Sequence, residues 1–312
     1  MTLAPYITEL VDAQQELKSG GLARLSGLLE DEQAELRGRW PEIAADRRRD
    51  IMARLVELAE DNADLDFHAV FCAALSDEDA VVRERAVGGL WESDDRRTIP
   101  KLTDRLRDDP DERVRAAAAL VLGHFADLAA DGKLLQRDAV QVFGVLMGIL
   151  KDDEEQVAVR RRALESVAAF QVPDIEEWVR WGYESPEPEL RQSALHAMGR
   201  SADPAWLPVI YREMESGDAA MRYEAATAAG ALGEEKAIPH LVELVDDTDP
   251  EVAVASVIAM SAIGGAKAKK LLSGFAANGE DNAIQDAATE ALRAMEVEEG
   301  DFALRKVDER LG

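Results

Sequence analysis

Arginine recurs at one register of the sequence, among apolar residues that an amphipathic helix would bury. A guanidinium at such a position could bind a carboxylate or phosphate through two parallel hydrogen bonds, or it could belong to the framework. In the stretch DDPDERVRAAAALVLGHF, residues 108–125, the arginine in question is Arg115. Its counterparts, each six residues after an acid or a serine, are Arg83, Arg160, Arg191 and Arg222. Five equivalent arginines cannot each be a unique catalytic group, so the repetition indicates a structural role.

Other residue types that could do chemistry are few. Cys72 is the only cysteine, and its setting in AVFCAALS predicts a buried, inert thiol. His240 and Glu243 could share a helix face as metal ligands, although a lone pair of this kind is usually surface decoration. The sequence has no arrangement of serine, histidine and acid, no phosphate-binding loop and no zinc motif. We therefore expect no catalytic residue, no metal and no cofactor.

The composition favours an all-α protein that does not bind nucleic acid. Of 312 residues, 47% are hydrophobic and only 5% are aromatic, which suits closely packed helices. The net charge of −27 would repel a phosphate backbone. This charge indicates either solubility and adaptation to salt or genome composition, or an acidic surface that selects a basic partner. Neither a secretory signal nor a run of about 18 apolar residues is present, so we expect a cytoplasmic protein without a membrane span.

The chain contains an internal repeat, which is marked by its helix starts. DPDE, residues 109–112, resembles a capping box with Asp109 as the N-cap. Similar starts recur every 31 to 33 residues, apart from one step of 45 residues before Glu154. The positions where a glycine could end such a helix in the left-handed conformation are Gly123, Gly199 and Gly230. A second amphipathic segment precedes most starts, so each unit is predicted to be two antiparallel helices, with Trp91 and Trp206 filling space between units.

The repeat resembles HEAT repeats of the short type named after the phycobilisome lyases. The pattern that carries the resemblance is Ile-Pro-x-Leu-x-x-Leu followed by Asp-x-x-x-x-Val-Arg-x-x-Ala-x-x-Ala-Leu-Gly, over roughly residues 65 to 296. The resemblance implies an all-α, right-handed α-solenoid of about seven or eight helical hairpins. We expect an N-terminal helical cap at 1–38, the repeats at 39–296 with an insertion near 126–138, and a C-terminal cap or tail at 297–312.

The resemblance also gives the repeated arginine a role, because HEAT-like repeats pair it with the cap acid in a ladder between neighbouring units. The ladder is expected to contain Asp77, Arg83, Asp109, Arg115, Glu154, Arg160, Arg191 and Arg222. It should be weaker where Ser185 and Ser216 replace the acid, and it should stop where Ala255 replaces the arginine.

The residues that face outward along the inner helix layer are the better candidates for binding. In solenoids this concave layer commonly binds an extended peptide or a protein surface. The stripe comprises Arg85, Arg113, Arg161, Arg162, Glu165, Gln192, His196, Tyr223 and Glu224. A solvated face without a partner is the alternative.

These observations predict a non-catalytic scaffold or adaptor that presents a concave surface to a protein or peptide. The alternative is a bilin lyase-like or chaperone-like enzyme subunit, which the family resemblance implies. Another HEAT-like family, deoxyhypusine hydroxylase, holds two irons through His-Glu dipeptides. The residues that follow the four histidines here are Ala, Phe, Ala and Leu, so that activity is not expected.

Overall fold

The computed structural model describes residues 3–278 and 281–311 of the chain, with side chains for residues 3–277 and 281–297. Every regular element in those ranges is helical. Within the same ranges, no helix combines the length and the apolar character that crossing a membrane would require. The chain forms two compact units, Met1–Val167 and Ala168–Gly312.

The first unit stacks helices in two layers. Its α-helices are α1 (Ala4–Val11), α2 (Ser19–Leu22), α3 (Glu30–Arg39), α4 (Ala45–Asp61), α5 (His68–Ala74), α6 (Ala80–Gly88), α7 (Thr98–Asp108), α8 (Glu112–Ala130), α9 (Gln136–Leu150) and α10 (Val157–Val167). One layer runs through α4, α6, α8 and α10, each packed on the next, and the preceding helices α5, α7 and α9 lie beside their partners. Fully buried apolar side chains of the first layer include Leu55, Val82, Val114 and Val159. The core therefore runs from one helical pair to the next.

The second unit repeats this arrangement. Its α-helices are α11 (Asp174–Tyr183), α12 (Pro188–Arg200), α13 (Leu207–Met214), α14 (Ala219–Leu232), α15 (Ile238–Leu244), α16 (Pro250–Ile263), α17 (Gly265–Asn278) and α18 (Asn282–Leu311). The layer α12, α14, α16 and α18 is continuous, and each member packs against the helix before it. The expected C-terminal cap or tail, 297–312, continues α18 to Leu311, and its side chains from residue 298 onwards lie outside the described residues. Stacked helical pairs in both units confirm the all-α solenoid fold class.

The 45-residue step between helix starts is taken up by long helices. Helix α8 extends to Ala130, and a turn with Gly132 at a φ of 69° leads into α9. A positive φ of this size favours glycine because a Cβ would be strained there. The extra residues near 126–138 thus lengthen a helical pair.

Three glycines that were predicted to end helices in the left-handed conformation do not do so. A Cβ on Gly199 would lie 2.8 Å from the Cα of Ala228, and a Cβ on Gly230 would lie 2.8 Å from the Cα of Ala259. Gly123 similarly faces Ser166, where a Cβ would lie 2.6 Å from Oγ. The positive-φ glycines of the described chain include Gly233 at the end of α14 but none of these three. Their absent side chains let neighbouring helices approach closely.

The expected N-cap at Asp109 is also displaced. The carboxylate of Asp111 accepts from the backbone N–H of Arg113 and caps α8, while Asp79 caps α6 in the same way. Asp109 instead accepts two hydrogen bonds of 2.8 Å from the guanidinium of Arg83. Two acids that are two residues apart therefore divide the tasks, the second capping the helix and the first binding an arginine.

The arginines of the repeated series bind carboxylates or backbone carbonyls in the turns between helices. Arg48 binds Asp77 at 2.9 Å, which extends the series upstream of the predicted members. Arg115 binds Glu155 at 2.7 Å, so the acid in that pair is not Glu154. The remaining contacts of the series are Arg160 to Asp153 at 3.1 Å, Arg191 to the carbonyls of Ser185 and Pro186, and Arg222 to Asp247 at 2.7 Å.

Candidate functional site

Helix α5 carries a histidine and a cysteine on one face. The carboxylate of Asp66 accepts a hydrogen bond of 2.9 Å from the backbone N–H of His68 at the start of the helix. The face that packs into the core carries Val70, Phe71 and Ala74. Because residues i and i+4 lie one above the other on a helix, His68 and Cys72 share the face outside the core. Both side chains are partly exposed.

The imidazole of His68 lies at the centre of a hydrogen-bonded cluster. Its Nε2 lies 3.4 Å from the Sγ of Cys72 and 3.4 Å from the Oδ2 of Asp95. Its Nδ1 lies 3.1 Å from the Oγ of Ser93. The Nε of Arg97 donates to both carboxylate oxygens of Asp95 at 2.9 Å, which fixes that carboxylate. A doubly protonated imidazole therefore has an acceptor at each ring nitrogen.

The contacts within this cluster shift the ionisation of Cys72 towards the thiolate and that of His68 towards the imidazolium. Burial raises the pKa of the Cys72 thiol, but the hydrogen bond from His68, the charge of His68 and the ammonium of Lys101 outweigh burial and lower it. The hydrogen bond to Cys72 raises the pKa of His68 against the opposing effect of burial, and the charge of Asp95 adds to the rise. Since the thiolate is the nucleophilic form, Cys72 is activated relative to an ordinary cysteine.

A cavity of about 950 Å³ opens at Cys72. Trp40 and Pro41 supply an apolar part of its wall, and Arg37 and Lys101 supply positive charge. The indole N–H of Trp40 donates to the buried carboxylate of Asp77 at 2.7 Å, which holds the ring in place. A small molecule or an extended segment of a larger one can therefore reach the thiol.

A second cavity of about 890 Å³ adjoins the first along α5. The two cavities share Gln33, His68, Ala69, Asp95 and Arg97 as lining residues. The side chain of Trp91 lines the second cavity and is 54% exposed, so it does not fill space between repeats as predicted. Trp206 is 4% exposed. His68 lines both cavities, whereas Cys72 lines only the first.

Comparison with known proteins identifies the family. A family model described as HEAT repeats matches residues 68–141 and 207–293, which together make up more than half of the chain. The chain is a HEAT-repeat protein. The predicted family resemblance is thereby confirmed, and the first matched segment begins at the histidine of the Cys72 cluster.

Curated relatives of this HEAT-repeat protein carry the name deoxyhypusine hydroxylase. The rat protein is 30% identical over 108 residues, which cover 34% of this chain and 35% of the relative. The protein from Candida albicans is 19% identical over 203 residues, which cover 59% of this chain and 64% of the relative. The chain thus spans less than two thirds of the length of either relative. Among solved structures, the complex of CpcE and CpcF of phycocyanin lyase from a Nostoc species matches with a TM-score of 0.55 and 16% identity, covering 91% of this chain and 97% of that one, and this likeness shows the fold.

The prediction of a non-catalytic binding scaffold is wrong. The relatives of this HEAT-repeat protein are named for an enzyme activity, hydroxylation of deoxyhypusine. The sequence lacks familiar catalytic motifs, but such motifs do not exhaust the ways in which a repeat fold can place reactive groups. The lyase subunit that was the alternative has only the shared fold in its support.

The residues of this HEAT-repeat protein do not fit a di-iron centre. Among the described residues, no group of three or more His, Cys, Asp or Glu side chains is arranged to hold a metal ion. His240, the one histidine considered as a metal ligand, stacks on Tyr211 with ring centroids 4.0 Å apart. We therefore derive no step of a reaction through iron.

The Cys72 cluster was missed by sequence reasoning, which predicted a buried and inert thiol. The spacing of histidine and cysteine by four residues in HAVFC was a usable signal, since it places both side chains on one helix face. Ser93, Asp95 and Lys101 come from the loop before α7 and from α7 itself. Helix periodicity does not place a loop, so these three could not have been assigned to the cluster from spacing.

Two arginines of the predicted binding stripe lie in the middle of the first unit. Arg85 is partly buried and donates to the carbonyl of Arg49 at 2.6 Å. Arg113 is exposed, and its guanidinium binds the carboxylate of Asp111 at 2.8 Å. The hydrogen bond from Arg113 lowers the pKa of Asp111 to about 2. Arg113 is therefore the more accessible of the two arginines, although it already has one acidic neighbour.

Glu165 departs from its predicted outward position. Its side chain is 6% exposed, and it lies 2.7 Å from Arg162 and 3.7 Å from Arg161. These two arginines are partly exposed, at 28% and 33% of their side chains for Arg161 and Arg162. Because Arg161 and Arg162 bind the buried carboxylate of Glu165, they have a structural role in addition to any role in binding.

The members of the stripe in the second unit form two neighbouring contacts. His196 and Glu224 approach to 3.8 Å, and Gln192 is partly exposed one turn before His196. Tyr223 is 40% exposed and lines a shallow cavity of about 480 Å³ together with Ile258. Exposed aromatic and aliphatic surface therefore accompanies the polar members here.

Proposed function

We propose that this HEAT-repeat protein is a thiol-dependent enzyme that transfers an acyl group through Cys72. The observation that carries the proposal is the cluster of Cys72, His68 and Asp95 at an open cavity. A nucleophile within reach of a base, with the base oriented by a third group, is the arrangement that acyl-transfer enzymes share. The hydroxyl of Ser93 also lies 3.1 Å from the other ring nitrogen of His68, Nδ1.

The reaction begins with the thiolate of Cys72. Its sulfur lone pair forms a bond to the carbonyl carbon of the substrate, and the carbonyl π electrons move to oxygen. When the carbonyl re-forms, the bond to the leaving group breaks, and the leaving group takes the proton from Nε2 of His68. The product of this step is an acyl thioester on Cys72 beside a neutral imidazole.

The second half of the reaction restores the enzyme. Neutral His68 accepts a proton from water or from an acceptor alcohol or amine, which attacks the thioester carbonyl. Collapse of that adduct releases Cys72 as the thiolate, so the ion pair is regenerated. Asp95, held by Arg97, stabilises the imidazolium and positions its ring throughout.

Acylation with 4-nitrophenyl acetate tests the proposal directly. Cys72 is the only cysteine, so a burst of 4-nitrophenolate equal to the protein concentration, with one acetyl group found on Cys72 by peptide mass spectrometry, is the expected result. Cys72→Ser should show neither the burst nor the modified peptide, with its helical circular dichroism unchanged. Acetylation of Cys72 no faster than that of a small free thiol would refute an activated nucleophile.

We also propose that the stripe contacts a protein that serves as acyl donor or acceptor. The exposed side chains of Arg113 and Tyr223 support this role. Charge reversal at Arg161 and Arg162 is a poor test, because it would surround the buried Glu165 with like charge. Arg113→Gln and Tyr223→Ser should instead lower recovery of a defined partner in pull-downs, with Lys133→Gln as the exposed control. Equal recovery with Arg113→Gln, Tyr223→Ser and the control would exclude Arg113 and Tyr223 as contact residues.

The proposed chemistry requires a reduced thiol. A partly exposed cysteine with a lowered pKa is readily oxidised, so we propose that the protein works in a reducing compartment such as the cytoplasm. Fractionation of the native host, followed by detection of the protein with an antibody, tests this location. Recovery outside the cytoplasmic fraction would contradict it.

A further inference from the structure

The cavity at Cys72 contains two cationic side chains that have no carboxylate partner among the described residues. Arg37 on α3 and Lys101 on α7 both line this cavity, and both are exposed. Lys101 and Cys72 line the same cavity, and the charge of the Lys101 ammonium helps to lower the pKa of the Cys72 thiol. In a chain with a net charge of −27, two such cations at one opening form a local exception to the overall charge.

The other arginines of the cavity wall are already neutralised. Arg48 binds Asp77 at 2.9 Å, and Arg97 binds Asp95 at 2.8 Å. Glu30 also lines the cavity and is exposed. Among the described residues, positive charge in this cavity without a carboxylate partner is therefore confined to Arg37 and Lys101, and the charge of Lys101 also lowers the pKa of the Cys72 thiol.

We infer that the substrate of Cys72 carries an anionic group, a carboxylate or a phosphate, close to the carbonyl that Cys72 attacks. The inference rests on the proposed function, because it assigns the substrate class of the same site. The anionic group would bind to Lys101 and Arg37.

The charge balance of the reaction supports this substrate class. Before the reaction, the thiolate is the counter-ion of Lys101. Once the acyl thioester has formed, the sulfur is neutral and His68 has given its proton to the leaving group. Lys101 then faces a neutral sulfur, while Asp95 remains paired with Arg97. An anionic substituent on the bound acyl group replaces the lost charge, whereas a neutral acyl group does not.

The overall charge of the protein also supports an anionic substrate. The acidic surface as a whole repels anions, so an anionic substrate needs a locally positive opening to reach the thiol. Arg37 and Lys101 provide such an opening from helices on two different parts of the cavity wall. Recognition of a neutral substrate would not require Arg37 and Lys101 to lack carboxylate partners.

Two alkylating reagents that differ in charge test the inference. Iodoacetate carries a carboxylate next to the reacting carbon, and iodoacetamide carries a neutral amide in its place. The second-order rate constants for Cys72 are measured with both reagents over a full pH profile, and the plateau values for the thiolate form are compared. We expect the ratio of iodoacetate to iodoacetamide rates to exceed that of glutathione by about fivefold and to fall towards it in high salt.

Substitutions at the two cations assign the preference. Lys101→Met and Arg37→Gln should each lower the plateau ratio, since each removes one positive charge from the opening. Lys101→Met also shifts the titration of the thiol, which is why plateau values are used. The matched control is Lys133→Met, because Lys133 is an exposed lysine of the same unit that binds Asp131 outside the cavity.

The outcomes separate this inference from the proposed function. If Cys72 titrates below an ordinary thiol with iodoacetamide but shows the glutathione ratio, the substrate inference is overturned and the activated nucleophile stands. If Cys72 titrates as an ordinary thiol, the proposed function fails, and the inference fails with it. A raised ratio that Lys101→Met and Arg37→Gln leave unchanged would also overturn the inference.

Discussion

The Arg83–Asp109 pair and the Cys72–His68 pair lie in the same unit and hold opposite charges in different ways. Arg83 is 6% exposed and Asp109 is 2% exposed, and two hydrogen bonds of 2.8 Å join them. Arg83 also donates to the carbonyl of Asp77 at 2.8 Å. Cys72 and His68 are 3.4 Å apart, partly exposed, and face a cavity. The first pair has no open side, whereas the second can meet a substrate.

Burial and access to a cavity distinguish structural charge pairs from reactive groups better than residue type does. A buried charge is stabilised only when its hydrogen-bonding positions are filled, and the Arg83–Asp109 pair meets this condition. A reactive group needs an approach path, so its surroundings remain incomplete on one side. We therefore expect substitutions in the framework pairs to change stability and substitutions in the site to change reactivity.

The largest effect is expected from removing the acid of the buried pair. Asp109→Ala leaves the guanidinium of Arg83 buried without its carboxylate, and the free energy of unfolding should fall by about 3 to 5 kcal/mol. Urea denaturation followed by circular dichroism measures the change. Asp131→Ala, which removes the exposed partner of Lys133, should change stability by less than about 1 kcal/mol. Equal effects of both substitutions would contradict the assignment of Asp109 to the framework.

A smaller loss of stability is expected where helices approach closely. In Gly230→Ala the new Cβ would lie 2.8 Å from the backbone of Ala259, so overpacking should cost about 1 to 3 kcal/mol. Gly144→Ala in α9 is the control, because nothing lies within 4 Å of its Cβ position. That control should stabilise the helix by about 0.5 to 1 kcal/mol. Thermal unfolding of both variants decides the matter, and a neutral Gly230→Ala would show that α14 and α16 can separate without cost.

Much of the framework could be predicted from the sequence, because it repeats. The register of Arg83 and Arg115 and the alternation of helical pairs follow from spacing alone. The partner of Arg115 could not be fixed, since Glu154 and Glu155 are adjacent and the turn before α10 decides which carboxylate reaches the guanidinium. The cap at Asp111 was confused with the acid at Asp109 for the same reason, as both are aspartates in one short turn.

The site was harder to predict because it does not repeat. Cys72 and His68 occur once at this register, and their partners Ser93, Asp95 and Lys101 are brought in by a loop and the following helix. Periodicity identifies which face of a helix is buried, but it does not place a loop against that face. The contrast between repeated and single features thus also marks the limit of prediction from this sequence.

Removing the base of the site should reduce reactivity without a comparable loss of stability. In His68→Gln the thiol of Cys72 loses the hydrogen bond and the positive charge that lower its pKa, so the pKa should rise. At a pH below the pKa of the thiol in the original protein, the thiolate fraction, and with it the rate of iodoacetamide alkylation, should fall about tenfold for each unit of that rise. Well above both pKa values, the rates of the variant and the original protein should converge. His124→Gln, which removes a partly exposed histidine bound to Asp94, should leave the profile unchanged.

The smallest effect is expected at a helix cap whose carboxylate is paired but still near solvent. The hydrogen bond from Arg49 lowers the pKa of Asp79 to about 2, with further help from the backbone N–H groups that Asp79 caps. A lowered pKa in the folded state means that the stabilisation is present above the ordinary value and is lost as the pH falls towards about 2. Arg49→Gln should raise the pKa of Asp79 in an NMR titration and lower stability at pH 7 only slightly, because solvent screens a pair at the surface. An unchanged titration of Cys72 in Arg49→Gln would show that the charges of the framework and of the site act independently. A shifted titration would show that they are coupled through α4 and α6.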